Sequence, residues 1–140
     1  MVVAGVQNAR GRRPGRALVD FAIVGSVLFL LLLGTIELGR GYMVKHLLTN
    51  AARVGCRTGM LQGKSSTAIE TAANNYLSTS GISGSTVTVL VNGAATDAST
   101  ANEDDEILVT VSVPVSNVTW IPGFSFLGTN IYGKYSIRRE

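Results

Sequence analysis

A chain of 140 residues has room for one modest domain and excludes a second independent core. Hydrophobic residues make up 46% against only 15% charged, too little charge for an ordinary soluble domain, and most of the apolar excess lies in one block. The net charge of +3 does not point to nucleic acid. Of 12 Lys and Arg, Arg10, Arg12 and Arg13 fall in the first fifteen residues, leaving nine against nine Asp and Glu, and charge confined to a tail speaks to topology.

Residues 1–15 form a polar, basic leader in which Pro14 and Gly15 oppose helix. The next stretch, from Ala17 to Ile36, is apolar apart from Asp20. Twenty residues at about 1.5 Å each span about 30 Å, the thickness of a bilayer's hydrocarbon core. The stretch is apolar on every face, unlike a soluble amphipathic helix, and longer than the apolar region of a cleavable secretory signal. A transmembrane helix over 16–36 is expected. Arg10, Arg12, Arg13 and Arg16 outweigh Arg40 and Lys45 on the far side. The N-terminus is therefore expected in the cytoplasm and the C-terminal part outside it.

Helical character continues to about residue 61, with no proline and many Leu, Ala and Arg. In this stem extension, 37–61, the small residues Ala51, Gly55 and Gly59 recur at spacing four and share one helix face. Such a stripe permits close backbone approach by the chain's own sheet or by a partner's helix. A second helix is expected over 67–79, with Thr67-Ala68-Ile69-Glu70 as a capping box and Gly81 as its stop.

Strands follow. Val87, Val89 and Val91 alternate within Thr86–Val91, and Ile107, Val109, Val111, Val113 and Val115 alternate within 107–115, where Pro114 marks an edge or an end. A third strand is expected over 132–138, with Tyr135 and Ile137 on one face. Asn92-Gly93 and the polar stretch to Asp105 read as a hairpin loop. The fold class is α+β: a long N-terminal transmembrane helix and a small exported domain, 62–140, with a short helix and an antiparallel sheet of about three strands.

Catalytic chemistry finds little footing, and no enzyme, cofactor or metal is expected. There is one His and one Cys. His46 has no acid at helical spacing to orient it and no nucleophile to serve. Cys56, on an Ala-rich helix, reads as a small buried thiol, and one cysteine cannot form an internal disulfide. Glu103-Asp104-Asp105-Glu106 lacks the spaced ligands and central glycine of a calcium loop and reads as a solvated turn. Trp120-Ile121-Pro122-Gly123-Phe124-Ser125-Phe126 is an aromatic turn, more readily core-closing than partner-binding.

Asp20 is the informative residue. A carboxylate in an apolar span costs about 2.5–3.5 kcal/mol at the bilayer centre, and less near its edge. It calls for a partner. One choice is Arg16, a helical turn earlier. The other is a free α-amino group, created by cleavage after Gly15, on this subunit or a neighbour.

The segment Arg13-Pro14-Gly15-Arg16-Ala17-Leu18-Val19-Asp20-Phe21 resembles a type IV prepilin cleavage region. There a basic leader ends in Gly, and an acidic residue follows five positions later at the head of an apolar helix. Three further segments resemble the TadE family of pilus-assembly pseudopilins: Asp20 to Val24, the run Leu28 to Leu33, and Gly34-Thr35-Ile36-Glu37-Leu38-Gly39-Arg40. So do Leu48-Thr49-Asn50-Ala51-Ala52-Arg53-Val54-Gly55-Cys56-Arg57 and the close Ser136 to Glu140.

The resemblance implies a minor pilin or pseudopilin of a tight-adherence (Flp-type) pilus or a related secretion system, held in the bacterial inner membrane. Its implied partners are prepilin peptidase, cutting between Gly15 and Arg16, other pilins or pseudopilins, and pilus assembly proteins. Asp20 would set register by pairing with a neighbour's new N-terminus. The competing expectation is an uncleaved, signal-anchored extracytoplasmic binding or sensor protein, which keeps the anchor but gives Gly15 and Asp20 no role.

Overall fold

A computed structural model describes residues 14–120 and 128–139. The chain divides into two units, Met1–Thr35 and Ile36–Glu140. Helix α1, Pro14–Met60, runs through both. Pro14 opens α1, where its missing N–H costs no helical hydrogen bond.

In the first unit, α1 leaves its large apolar side chains uncovered on every face, from Leu18, Phe21 and Ile23 to Phe29, Leu31 and Leu33. This segment is long and apolar enough to cross a membrane, and none of its apolar window is buried by protein. The two hydroxyls inside it are satisfied locally. Ser26 Oγ donates to the Ala22 carbonyl and Thr35 Oγ1 to the Leu31 carbonyl, each at 2.8 Å, so neither presents an unpaired donor to lipid.

In the second unit, α1 and helix α2 (Ser66–Thr79) cover one face of a three-stranded antiparallel sheet. The strands are β1 (Thr86–Val91), β2 (Glu106–Pro114) and β3 (Asn130–Arg138), in spatial order β1-β2-β3. Val91, Ile107 and Ile137 lie in one cross-strand row, and Val89, Val109 and Tyr135 in the next. This inward face meets Val44, Leu48, Ala51, Ala52 and Cys56 of α1 and Ile69, Ala73 and Leu77 of α2. The other face carries Thr88, Thr110, Ser112, Lys134 and Ser136, the one-sided pattern of an antiparallel sheet half open to water.

The strand registers follow the alternation read from the sequence, with small shifts at the ends. β3 starts at Asn130, two residues early, because Asn130 and Ile131 pair with Pro114 and Val113. Pro114 ends the central strand rather than sitting on an edge, so its missing N–H interrupts no ladder.

One local expectation is corrected. α2 is capped by Ser65, whose Oγ accepts from the Ala68 N–H at 3.3 Å, and not by a Thr67 to Glu70 box. Ser65 precedes the first helical turn and keeps an extended backbone, the geometry a cap needs; Thr67 is already helical. At the other end Gly81 (φ 75°) lets the chain turn back. The Ile82 N–H donates to the Leu77 carbonyl at 3.0 Å and the Gly81 N–H to Ser78 at 3.1 Å, which closes α2 in a Schellman motif.

Asn92 (φ 50°) and Gly93 (φ 78°) make a two-residue turn closed by reciprocal Val91–Ala94 hydrogen bonds of 2.9 Å. The chain does not enter β2 there. It runs on through a 3-10 turn, Ala98–Thr100, and returns where the Asn92 side chain braces the loop. Asn92 Oδ1 accepts from the Glu106 N–H at 2.9 Å and Asn92 Nδ2 donates to Asp105 at 2.7 Å.

Candidate assembly site along the N-terminal helix

Gly15, Arg16 and Asp20 all lie exposed in the opening turns of α1. Arg16 and Asp20 do not pair with each other. Among the described residues the one ion pair is Arg138–Asp104 at 3.2 Å, fully out in solvent. Asp20 is thus a carboxylate at the head of an apolar helix with no ion-pair partner among the described residues, and Gly15 has open space around its Cα.

The small-residue stripe lies at the helix–sheet seam of the second unit. Ala51, Gly55 and Gly59 are buried. A Cβ on Gly55 would come within 3.2 Å of Ile69 Cγ2 and 3.5 Å of Val109 Cγ1. One on Gly59 would come within 2.8 Å of Ile69 Cδ1 and 3.4 Å of Ile107 Cδ1. The stripe therefore faces α2 and β2 of this same chain, and it presents no open face to a second helix.

Cys56, on the same seam, donates through Sγ to the Tyr135 carbonyl at 3.3 Å and more distantly to Ile107 at 3.8 Å. Burial pushes its thiol up to about 11, an effect opposed by a backbone hydrogen bond at Val109. It is a packed thiol, not a nucleophile. His46 is exposed with Tyr42 beside it, ring centroids 6.4 Å apart. No group of acids, His and Cys among the described residues could hold a metal ion.

Glu37 and Arg40 belong to the Gly34-Thr35-Ile36-Glu37-Leu38-Gly39-Arg40 segment, which carries no local sign of their partners. Both turn out to tie α1 to the segment after β2. Glu37, 5% exposed, accepts from Thr119 Oγ1. Arg40 Nε donates to the Val118 carbonyl, and its guanidinium lies 4.5 Å from the Trp120 ring centroid. Trp120 itself is 70% exposed, so it does not close a core; residues 121–126 of the aromatic turn lie outside the described part.

A second clamp sits at the far end of the stem. Arg139, 3% exposed, donates through Nη1 to the Ala98 and Ala101 carbonyls at 2.9 and 2.8 Å, and through Nη2 to Leu61 at 2.8 Å. It joins the end of α1, the long loop and the end of β3. Sequence reading could have flagged it only as an arginine directly after an alternating strand. Its partners lie about 40 and 80 residues away, beyond any periodic signal.

No curated protein and no solved structure matches the chain. A family model described as TadE-like protein matches residues 15–57. The match begins at Gly15, takes in Asp20, the apolar helix, Glu37 and Arg40, and ends one residue past Cys56. The stretch from Gly15 to Arg57, which forms the apolar helix and most of the stem, is therefore similar to the TadE-like family.

Proposed function

We propose that this protein is a non-enzymatic, membrane-anchored structural component of a tight-adherence (Flp-type) pilus or its related secretion system, acting as a minor pilin or pseudopilin. The observation that carries this reading is one helix with two environments. Its N-terminal part is apolar and bare on all sides; its C-terminal part is packed into a small α+β domain; and the TadE-like match spans both. A bare apolar helix needs lipid or other apolar helices around it. The basic tail stays cytoplasmic and the domain is exported across the inner membrane.

Prepilin peptidase cuts between Gly15 and Arg16. The exposure of both residues at the head of α1 supports access. Asp20, with no ion-pair partner among the described residues, then meets the new α-amino group of a neighbouring subunit as the helices pack side by side. The Ala51-Gly55-Gly59 seam contributes indirectly, by fixing the domain on its stem.

The test is an intact-mass measurement on protein extracted from membranes of cells with a functional peptidase. Loss of residues 1–15 is the expected result. Full retention would favour the uncleaved, signal-anchored binding or sensor protein, for which the anchor is the same and Gly15 and Asp20 do nothing.

A further inference from the structure

Three exposed aromatic residues, Trp120, Tyr42 and Tyr132, lie near the opening turns of the α1 segment that belongs to the second unit. Tyr42 and Tyr132 flank a shallow depression of about 370 Å³, with Lys45 and Gly41 on the helix side and Asn130 and Ile131 on the strand side. Two residues before Tyr42, and so roughly on the other side of the helix, Arg40 reaches under Trp120. Tyr42 is 67% exposed and Trp120 70%, with Met43, Leu38 and Ile36 also uncovered nearby along α1. Large amphipathic rings with cations among them, left bare around a helix, need an environment that is apolar at one end and wet at the other.

Their level along the helix identifies that environment. Ile36 ends the apolar run, and Arg40 and Tyr42 follow it by about 6 and 9 Å of helix rise. A bilayer's headgroup layer adds about 5–8 Å to each side of its hydrocarbon core. Glu37, nearest the hydrocarbon boundary, is the one charged residue here that the domain covers, under Thr119. Arg40, about one turn further on, and Tyr42 and Lys45, up to about two turns further on, are the types that favour the interface, and helical side chains lean back toward the N-terminal, membrane side.

We propose that Trp120, Tyr42 and Tyr132, with Arg40 and Lys45, form a belt that rests the exported domain in the headgroup layer of the bilayer holding its own anchor. The rings sit at the boundary of the acyl chains. Lys45 reaches lipid phosphate, and Arg40 holds the Trp120 ring at that depth. The belt fixes the height and tilt of the domain over the membrane before any partner arrives. This inference rests on the membrane-anchor reading, and not on cleavage or on pilus assembly.

Trp120 is the sole tryptophan, so its emission reports this position alone. The full-length chain is reconstituted in phosphatidylcholine vesicles whose acyl chains carry bromine either close to the headgroup or near the methyl end. Trp120 emission is expected to shift to the blue relative to the unfolded chain. It should be lost mainly to the shallow bromines and be little affected by iodide in the buffer. A Phe29→Trp, Trp120→Phe chain serves as the anchor control and should be quenched by the deep bromines.

If the control is quenched and Trp120 is not, the belt is overturned and the anchor stands. The belt is also overturned if Trp120 is quenched chiefly by iodide, which places it in water, or chiefly by deep bromines, which places it in hydrocarbon. Shielding of Trp120 from both iodide and bromine would mean that protein covers the ring, and that too overturns the proposal. If neither chain responds to bromine at any depth, the anchor fails together with the belt.

Discussion

The backbone of Gly133 in β3 lies directly against the backbone of α1 at Leu48 and Thr49. A Cβ built on Gly133 would overlap the Leu48 carbonyl carbon and the Thr49 nitrogen, and would stand 2.7 Å from Leu48 Cβ. Glycine is the one residue that lets helix and sheet meet at this distance. Gly133→Ala should therefore cost on the order of 3 kcal/mol, because main-chain atoms cannot step aside. Gly59→Ala is the contrast: its new methyl meets only side-chain atoms, the ends of Ile69 and Ile107, and helix propensity returns up to about 1 kcal/mol. Thermal unfolding of the detergent-solubilised chain checks both, and equal effects would contradict the close approach.

Arg139→Met should destabilise the domain by on the order of 3 kcal/mol, since three carbonyls from two distant segments lose a charged donor inside the protein. Arg139→Lys should recover only part of this, because an ammonium cannot span the same fork of acceptors. Urea unfolding of the two variants beside the parent chain makes the measurement. Full recovery by lysine would show that the charge matters and the fork does not.

Acid should loosen the long loop. Asp105 accepts from the Asn102 N–H at 2.6 Å and from Asn92 Nδ2 at 2.7 Å, with the Arg139 charge beyond, and these hold its carboxyl below the ordinary 3.8. Asp97 is held below 3.8 mainly by the Ser99 N–H, which donates to it at 2.7 Å. A folded value below the unfolded one contributes stability that is fully present above 3.8 and is lost as pH falls through the folded value. The gap in melting midpoint between the parent chain and Asp105→Asn should therefore be widest above pH 3.8 and close below it. A gap that widens in acid would contradict the assignment.

Cys56 should resist alkylation in the folded chain. Its thiol is buried and raised to about 11, so almost no thiolate is present or reachable at neutral pH. Mass spectrometry after iodoacetamide should find it unmodified until denaturant is added. Rapid labelling of the native protein would mean that α1 parts from the sheet at this seam.

Asp20→Ala should leave membrane insertion intact or ease it, since it removes a charge from an apolar span. Pilus assembly should fail or fall sharply, because in the proposed pairing a neighbour's α-amino group would lose its counter-ion. Pilus yield by shear preparation and electron microscopy gives the readout. Normal pili from the alanine variant would remove the role given to Asp20.

The elements that were legible in the sequence are those with a strong local period. The long apolar run, broken only by Asp20, marked the first part of α1, and alternating valines located β1 and β2 to within a residue. Boundaries were less legible where a better local partner existed: Ser65 displaces Thr67 as the cap of α2 because it stands just outside the helix. The clamps at Glu37–Thr119 and Arg139–Leu61 join residues 82 and 78 positions apart, and no window of sequence carries such pairing. Gly133 did offer a signal, since a glycine inside a strand pattern often marks close backbone approach. Which backbone it meets becomes visible only once α1 crosses β3.

The most direct test of the central claim, an apolar helix in lipid carrying a domain across the membrane, is a topology reporter fused after Glu140. Alkaline phosphatase, active only outside the cytoplasm, should be active in the membrane fraction of cells making the fusion. An inactive fusion, or an active one recovered in solution without detergent, would contradict the account.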